Sequence, residues 1–332
     1  MMNKSTNMLF MTILLMSVPI SISSNSWFMI WMGMEINIMS FMPIMMNHKN
    51  MLSKEAGLTY FMTQTIASML MIMSFMLMTI KEIDHSKVGE MLTLSSLMIK
   101  SGMSPFHFWL PKTMEGMNWN NCFILMTWQK IIPLMMMSNI IKMNYISILA
   151  MMMSIITGAI GGLNQTSLRK LMAYSSISNN GWMMMAMLVS EKMWMVYLIM
   201  YTIMMAIMTK SMSTYKNFHM NQIISMNEAP LKKLLMMINM VSMSGLPPMM
   251  GFLPKWMVIQ QTMMMNMMFM TGIMVIMTLI SAYYYLRTIF SIMMLSTVEM
   301  KWKTKFTKTN TMIIALSMMT INGLMLVSLM WI

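Results

Sequence analysis

A twelve-residue pattern occurs twice in this chain, 143 positions apart, and each copy interrupts an apolar stretch that is otherwise long enough to cross a membrane. Residues 101 to 112 read S-G-M-S-P-F-H-F-W-L-P-K and residues 244 to 255 read S-G-L-P-P-M-M-G-F-L-P-K, with Ser, Gly, Pro, Leu, Pro and Lys in register. Gly and Pro break the backbone hydrogen-bond ladder. In hydrocarbon such a break is tolerated only where protein or a watered cavity satisfies the freed groups. Gly102, Pro105, Gly245, Pro247 and Pro248 are therefore the predicted helix breaks. Interrupted helices at matching places in two halves are the signature of a transporter built from repeats. A lysine accompanies each break, which points to movement of something charged across a bilayer.

The chain is 58% apolar and 9% charged, against about a quarter charged in ordinary soluble domains. An all-α integral membrane protein is the expected class. Its 69 Met residues occupy whole helices with no periodic face. They read either as a soft binding surface or as coding bias. A mitochondrial code that reads an isoleucine codon as Met, in an AT-rich genome, would produce them, and 20 Lys against 2 Arg points the same way. The N-terminus runs straight into an apolar helix without an Arg-rich transit peptide or a small-residue cleavage site, so insertion at the place of synthesis is expected. The single Cys122 excludes an internal disulfide and Cys-ligated zinc or iron–sulfur centres. His48, His85, His107 and His219 lie in separate segments, so no metal site is expected.

Apolar runs of about twenty residues place spans at 8 to 23, 26 to 46, 57 to 80, 89 to 110, 119 to 138, 143 to 162, 168 to 189, 193 to 215, 231 to 267, 269 to 292 and 310 to 331. The ninth would be roughly 50 Å long as one helix, so the Gly245–Pro248 interruption must divide it. About eleven transmembrane helices result, with the fourth and ninth broken. Residues 1 to 138 then form one five-helix repeat and 143 to 292 a second. An odd helix number per unit makes the repeats inverted. Residues 293 to 332 supply a basic loop and a final helix.

Lys and Arg set the orientation. Lys4, Lys49, Lys54, Lys112, Arg169, Lys170, Lys216, Lys232, Lys233, Arg287, Lys301, Lys303, Lys305 and Lys308 fall on the side of the N-terminus. Only Lys81, Lys87, Lys142 and Lys192 fall opposite. By the positive-inside rule the N-terminus faces the compartment of synthesis, the matrix if the chain is mitochondrial, and the C-terminus faces the other side. Topology also accounts for the basic loop at 300 to 308, so no nucleic-acid partner is expected.

Ionisable residues inside the spans carry the functional argument. Glu35, Lys100, Lys130 and Lys255 would together cost on the order of 12 kcal/mol if left facing lipid, at about 3 kcal/mol each. They must line an interior or a water path. The alternative, structural ion pairs with lysines reaching toward span ends, suits Lys210 and Lys112 better than Lys100 or Lys130. Desolvation disfavours a charged lysine and a nearby carboxylate favours it, so movement of a partner such as Glu35 can swing its hold on a proton. His107 reads equally as a further proton carrier or as a packed structural residue. No phosphate loop, Ser/His/Asp arrangement or acidic metal cluster is visible, so no chemistry on a substrate is expected.

The chain resembles the antiporter-like membrane subunits of respiratory complex I over nearly its whole length. The specific stretches are W-M-G-M-E-I-N at 31 to 37, K-E-A-G-L-T-Y-F-M-T-Q at 54 to 64, K-S-G-M-S-P-F-H-F-W at 100 to 109, T-W-Q-K at 127 to 130, G-G-L-N-Q-T-S-L-R-K-L-M-A-Y-S-S-I at 161 to 177 and G-L-P-P-M-M-G-F-L-P-K-W at 245 to 256. Eleven spans look like the animal form, which is similar to the longer bacterial subunit without its first three helices. The resemblance implies a core proton-pumping subunit of the mitochondrial inner membrane, coupled at a distance to electron transfer from NADH to ubiquinone. Glu35 would be the modulating carboxylate, Lys100 the lysine of the first broken helix, Lys130 the central relay and Lys255 the lysine of the second broken helix. NADH, FMN, iron–sulfur clusters and ubiquinone would belong to other subunits. The partners implied are other membrane-arm subunits, in an obligate hetero-oligomer, and phospholipids. In the repeat itself Lys255 aligns with Lys112, and Lys100 is preferred on depth. Two rival classes are a stand-alone cation/proton antiporter, which would transport when reconstituted alone, and a passive scaffold, in which the buried charges would be dispensable.

The charge bias predicts that a protease site placed within 299 to 308 is cut only from the matrix, and that a tag after Ile332 is reached only from the intermembrane space. Access to both from one side would overturn the odd span count.

Overall fold

The computed structural model describes residues 4–46, 50–79, 83–141, 144–224, 230–247 and 249–295, together with Ser317 and Thr320. Pro248, the basic loop at 300 to 308 and most of the predicted span at 310 to 331 lie outside the described residues. The chain is helical in the order α1 (Lys4–Ser23), α2 (Trp27–Met45), α3 (Met51–Thr79), α4 (Ile83–Ser101), α5 (Trp109–Gly116), α6 (Trp119–Met126), α7 (Trp128–Ile140), α8 (Tyr145–Gly161), α9 (Leu168–Val189), α10 (Glu191–Tyr215), α11 (Met220–Ile224), α12 (Pro230–Ser244), α13 (Phe252–Met264) and α14 (Met268–Leu295). Two compact units, Met1–Ala150 and Met151–Ile332, divide it.

The helices are inside-out relative to those of a soluble protein. On α3, Met62, Ile66, Met69, Met73 and Met76 recur at helical spacing and are all more than half exposed, whereas Ser53, Tyr60, Gln64, Ser68 and Ser74 face inward. Water would penalise that apolar stripe, and hydrocarbon or an apolar neighbour does not. Among the described residues five helices, within α1, α2, α3, α10 and α14, are long and apolar enough to cross a membrane by length and composition. Polar helix α9 explains itself differently. Seventeen of its residues are buried, including Ser175, Ser176, Asn179 and Asn180, so protein surrounds it where lipid could not. Inward hydroxyls mostly satisfy themselves locally. Ser17, Ser21, Ser74, Ser154 and Ser242 each donate to the carbonyl three residues back. In the α1–α2 hairpin small residues let backbones meet: a Cβ on Gly33 would lie 2.9 Å from Ser21 Cβ.

Both predicted breaks are present, and both begin on a left-handed glycine. Gly102 has φ +71°, and its N–H donates to Ile99 O at 3.2 Å while Met103 N–H reaches Met98 O at 2.9 Å. These two bonds close the end of α4 and satisfy carbonyls that the helix would otherwise leave open. Gly245 has φ +78°, and its N–H donates to Ser242 O at 3.3 Å at the end of α12. Beyond that break, Met250 N–H donates to the carbonyl of Thr320, so a backbone group from the described part of the final segment serves the start of α13.

One expectation is corrected. The span read as continuous over 119 to 138 is interrupted at Thr127, between α6 and α7. The backbone at Thr127, with φ −116° and ψ −69°, departs from helical values, while Phe123 O accepts both its N–H at 3.0 Å and its Oγ1 at 2.7 Å. The fourth span likewise starts earlier than read, at Ile83, and resumes after its break as α5.

Gly102→Ala should loosen the fold. A left-handed alanine costs about 1–2 kcal/mol, and its Cβ would also press on the Leu110 side chain. Gly272→Ala is the control, because no atom lies within 4 Å of a Cβ there and alanine favours helix. Heating the assembled complex in mild detergent should release the Gly102→Ala chain at lower temperature and leave the Gly272→Ala chain unaffected. Equal behaviour would show that the left-handed turn is not what ends α4.

Candidate functional site

The site in the first unit starts from the last turn of α4. Lys100 lies there, with its side chain 2% exposed and its ammonium 3.8 Å from Glu35 Oε1 on α2, whose side chain is 19% exposed. Met34 Sδ lies 3.8 Å from the same ammonium. A cation in the last turn of a helix also sits at the negative end of the helix dipole. The break leaves carbonyls around it, and neighbours take them up. Gln64 Nε2 donates to Lys100 O at 3.4 Å, and Trp109 Nε1 donates to Ile99 O at 3.0 Å from across the break.

Lys100 and Lys130 face one cavity. Its volume is about 20 Å³, room for about one water molecule, and Asn37, Tyr60, Gln64 and Gln129 also line it. Lys130 is buried in the first turn of α7, just past the Thr127 interruption. Polar side chains from three helices are already joined there: Tyr60 OH donates to Gln129 Oε1 at 3.3 Å, and Gln129 Nε2 donates to Asn37 Oδ1 at 3.0 Å. Two buried amines and a bridged set of amides and a phenol around a water-sized space, with a carboxylate beside one of the amines, can hold a proton and hand it on.

In the second unit Lys255 is buried in the first turn of α13, and its ammonium reaches back to donate to Ser244 O at 3.1 Å. Ser244 is the last residue of α12. Lys255 and Lys100 thus both stand at an interrupted helix, but Lys255 comes from beyond the break and bonds the helix-end carbonyl, whereas Lys100 comes from before it and meets Glu35. Gly245 makes room for this, since a Cβ there would lie 2.7 Å from Lys255 Nζ. Lys112, the register partner of Lys255, is exposed on α5. His107 is 7% exposed in the loop between α4 and α5, with Nδ1 3.3 Å from Pro105 O and its ring 4.3 Å from that of Phe108; it does not line the Lys100–Lys130 cavity.

The sequence reading singled out neither Asn37, Tyr60, Gln64 nor Gln129. A signal was present, because Tyr60 and Gln64 fall four apart on the inward stripe of α3, and a polar pair on a buried face of a spanning helix needs partners.

Residues 24–281 match the family described as NADH:quinone oxidoreductase/Mrp antiporter, transmembrane. The chain is similar to NADH-ubiquinone oxidoreductase chain 2 of Anopheles gambiae, 43% identical over 100% of this chain and 99% of that one. It is 37% identical to the sheep (Ovis aries) protein of the same name, over 96% and 95% of the two chains. Its fold is similar to a chain of respiratory complex I from Thermus thermophilus, with a TM-score of 0.83 at 19% identity over 96% of this chain and 78% of that one. A chain of the Mrp complex from Dietzia sp. gives 0.76 at 15% identity over 84% and 59%. With a family match across most of its length and close relatives along nearly all of it, the chain belongs to the NADH:quinone oxidoreductase/Mrp antiporter transmembrane family.

Proposed function

We propose that this chain is a proton-translocating membrane subunit of respiratory complex I, in which Glu35, Lys100 and Lys130 carry protons in the first unit and Lys255 does corresponding work in the second. The observation that carries this reading is that Lys100, paired with Glu35, lines the same cavity as Lys130. The near-full-length similarity to NADH-ubiquinone oxidoreductase chain 2 supports the complex to which it belongs. On this reading other subunits handle NADH, FMN, iron–sulfur clusters and ubiquinone, and other membrane-arm subunits and phospholipids cover the apolar faces. The Met-rich composition supports a mitochondrial origin, and with the Lys and Arg bias it supports a location in the inner membrane with the N-terminus in the matrix.

The mechanism follows from the distance. Opposite charges 3.8 Å apart attract by about 4 kcal/mol at an effective dielectric constant near 20, and doubling the separation removes about 2 kcal/mol. That is roughly a thirtyfold change in how tightly the lysine holds its proton. Withdrawal of the Glu35 carboxylate therefore releases a proton from Lys100, and its return draws one in. A water in the shared cavity would connect Lys100 to Lys130. The carboxylate is the more exposed member, so it is the one that a neighbouring subunit can move.

A stand-alone cation/proton antiporter is the second reading, since the family description names an antiporter beside NADH:quinone oxidoreductase. Reconstitution of the isolated chain separates the two, because only the antiporter would exchange cations for protons without the rest of the complex.

Glu35→Gln and Lys100→Met should each lower NADH-driven proton uptake, normalised to assembled complex, by about tenfold or more. The double variant should lose little beyond the worse single one, since residues acting as a unit are non-additive. Lys303→Gln in the basic loop should do almost nothing. Normal uptake in Lys100→Met, or losses that simply add, would break the proposed pair.

A further inference from the structure

The amide of Gln129 carries no charge, yet it stands between charged residues and both of its ends are occupied. Its Oε1 accepts the Tyr60 hydroxyl of α3 at 3.3 Å, and its Nε2 donates to Asn37 Oδ1 of α2 at 3.0 Å. Gln129 immediately precedes Lys130, and Asn37 follows Glu35 by two residues. The bond thus joins a residue beside one proposed carrier to a residue beside another. Because α2 packs chiefly against α1 and α3, and α7 chiefly against α4 and α6, this bond crosses the cavity between α2 and α7.

Each end of the bond restrains something different. At α7 it restrains a helix start: the helix begins at Trp128, just past the Thr127 interruption, so Gln129 and Lys130 lie in its first turn. The N–H groups of a first turn have no intrahelical partners, and the backbone ladder holds that turn least. Side chains anchor it instead. Trp128 Nε1 donates to Leu14 O of α1 at 3.1 Å, and Gln129 reaches α2 and α3. At α2 the restraint is rotational. Successive residues of a helix are turned by about 100°, so Met34 and Ile38 point together into the cavity, with Glu35 to one side of them, at Lys100, and Asn37 to the other. With Asn37 bonded to α7, α2 cannot roll about its axis, and Glu35 cannot leave Lys100 by that route.

We propose that Gln129 is a positioning residue: bonded to Asn37 and Tyr60, it holds α2 at the rotation that keeps Glu35 beside Lys100, and it holds the first turn of α7 so that Lys130 faces the same cavity. The proposal rests on the proton-translocating reading above. Withdrawal of the carboxylate is then a side-chain movement on a fixed helix, and the strut sets the place to which it returns. The titratable groups facing Lys100 are Glu35 of α2, Tyr60 of α3 and Lys130 of α7, while α5 presents Trp109. Coulomb energy falls with distance, so the carboxylate at 3.8 Å outweighs the repulsion of Lys130 across the water-sized cavity. Loss of the strut lets the carboxylate drift, and Lys100 then gives up its proton at lower pH.

The test is the pH profile of NADH-driven proton uptake by sealed membranes, normalised to assembled complex. In Gln129→Leu, which is close in size and lacks both hydrogen-bonding ends, the alkaline limb should move to lower pH by about half a unit or more. Asn37→Leu cuts the same bond from the side of α2 and should do likewise. Combining the two should move the limb no further than the larger single shift, because they remove one interaction. Adding Gln129→Leu to Glu35→Gln should leave the limb where Glu35→Gln alone puts it, since no carboxylate remains to be positioned, whereas a general loosening of the fold would move it again. An unshifted limb in either leucine variant, shifts that add, or a further shift on top of Glu35→Gln would each overturn the strut. Failure of the underlying reading is distinguishable, because Lys100→Met would then take up protons at the normal rate whatever Gln129→Leu does.

Discussion

A buried lysine placed at an interrupted helix is the constraint on which the rest depends. Burying a lysine in hydrocarbon costs several kcal/mol unless something negative meets it. An interrupted helix offers that something without a second charge, since its last carbonyls are open and its dipole points the right way. At the second break the helix end leaves a carbonyl open and the lysine satisfies it, whereas at the first break other donors take the carbonyls and the lysine meets a carboxylate. This division accounts for the company each break keeps. Gly102 and Gly245 turn the chain in the left-handed region, and Gln64 and Trp109 bond the carbonyls at the first break. At the second, Lys255 itself bonds the carbonyl of Ser244.

The two breaks differ in what else they offer. Lys100 has a carboxylate at 3.8 Å that is itself partly exposed, so its charge balance can be altered from outside the unit. Lys255 leans on a backbone carbonyl, which cannot be protonated or withdrawn by any side-chain motion. A lysine with a movable partner is suited to being switched, and one with a fixed dipole is suited to a constant role. The first unit then carries the adjustable element, and the similarity of the two twelve-residue segments does not extend to identical work.

The sequence made the breaks legible because a left-handed turn in a spanning helix has few chemical solutions, and Gly with nearby Pro is the commonest. The buried charges were equally legible, since any ionisable group in mid-span must find an interior. The Thr127 interruption was not, because a threonine that bonds back to its own helix looks like any other threonine until its rotamer is known. The polar set Asn37, Tyr60, Gln64 and Gln129 comes from three helices, and only packing brings it together. Register was also misleading in one respect. Lys112 and Lys255 occupy the same position in the repeated pattern, yet one is exposed and the other buried. The deciding variable is where each half-helix sits, which a local pattern does not encode.

The abundance of methionine bears on how much these arguments can be transferred along the chain. Met is unbranched and adaptable, so a face built from it seals against lipid or a neighbour without demanding a unique fit. Precision is then concentrated in the few residues that Met cannot replace: the glycines of the turns, the inward hydroxyls and amides, and the charged groups. On α3 most of this division is visible within a single helix, with Met62, Met69, Met73 and Met76 outward and Tyr60, Gln64, Ser68 and Ser74 inward beside the buried Met71. Methionine reaches the interior too, where Met34 Sδ lies 3.8 Å from the Lys100 ammonium, but a thioether takes up no proton as an amine or a carboxylate does, so on the proposed reading it can line the path and cannot replace its carriers.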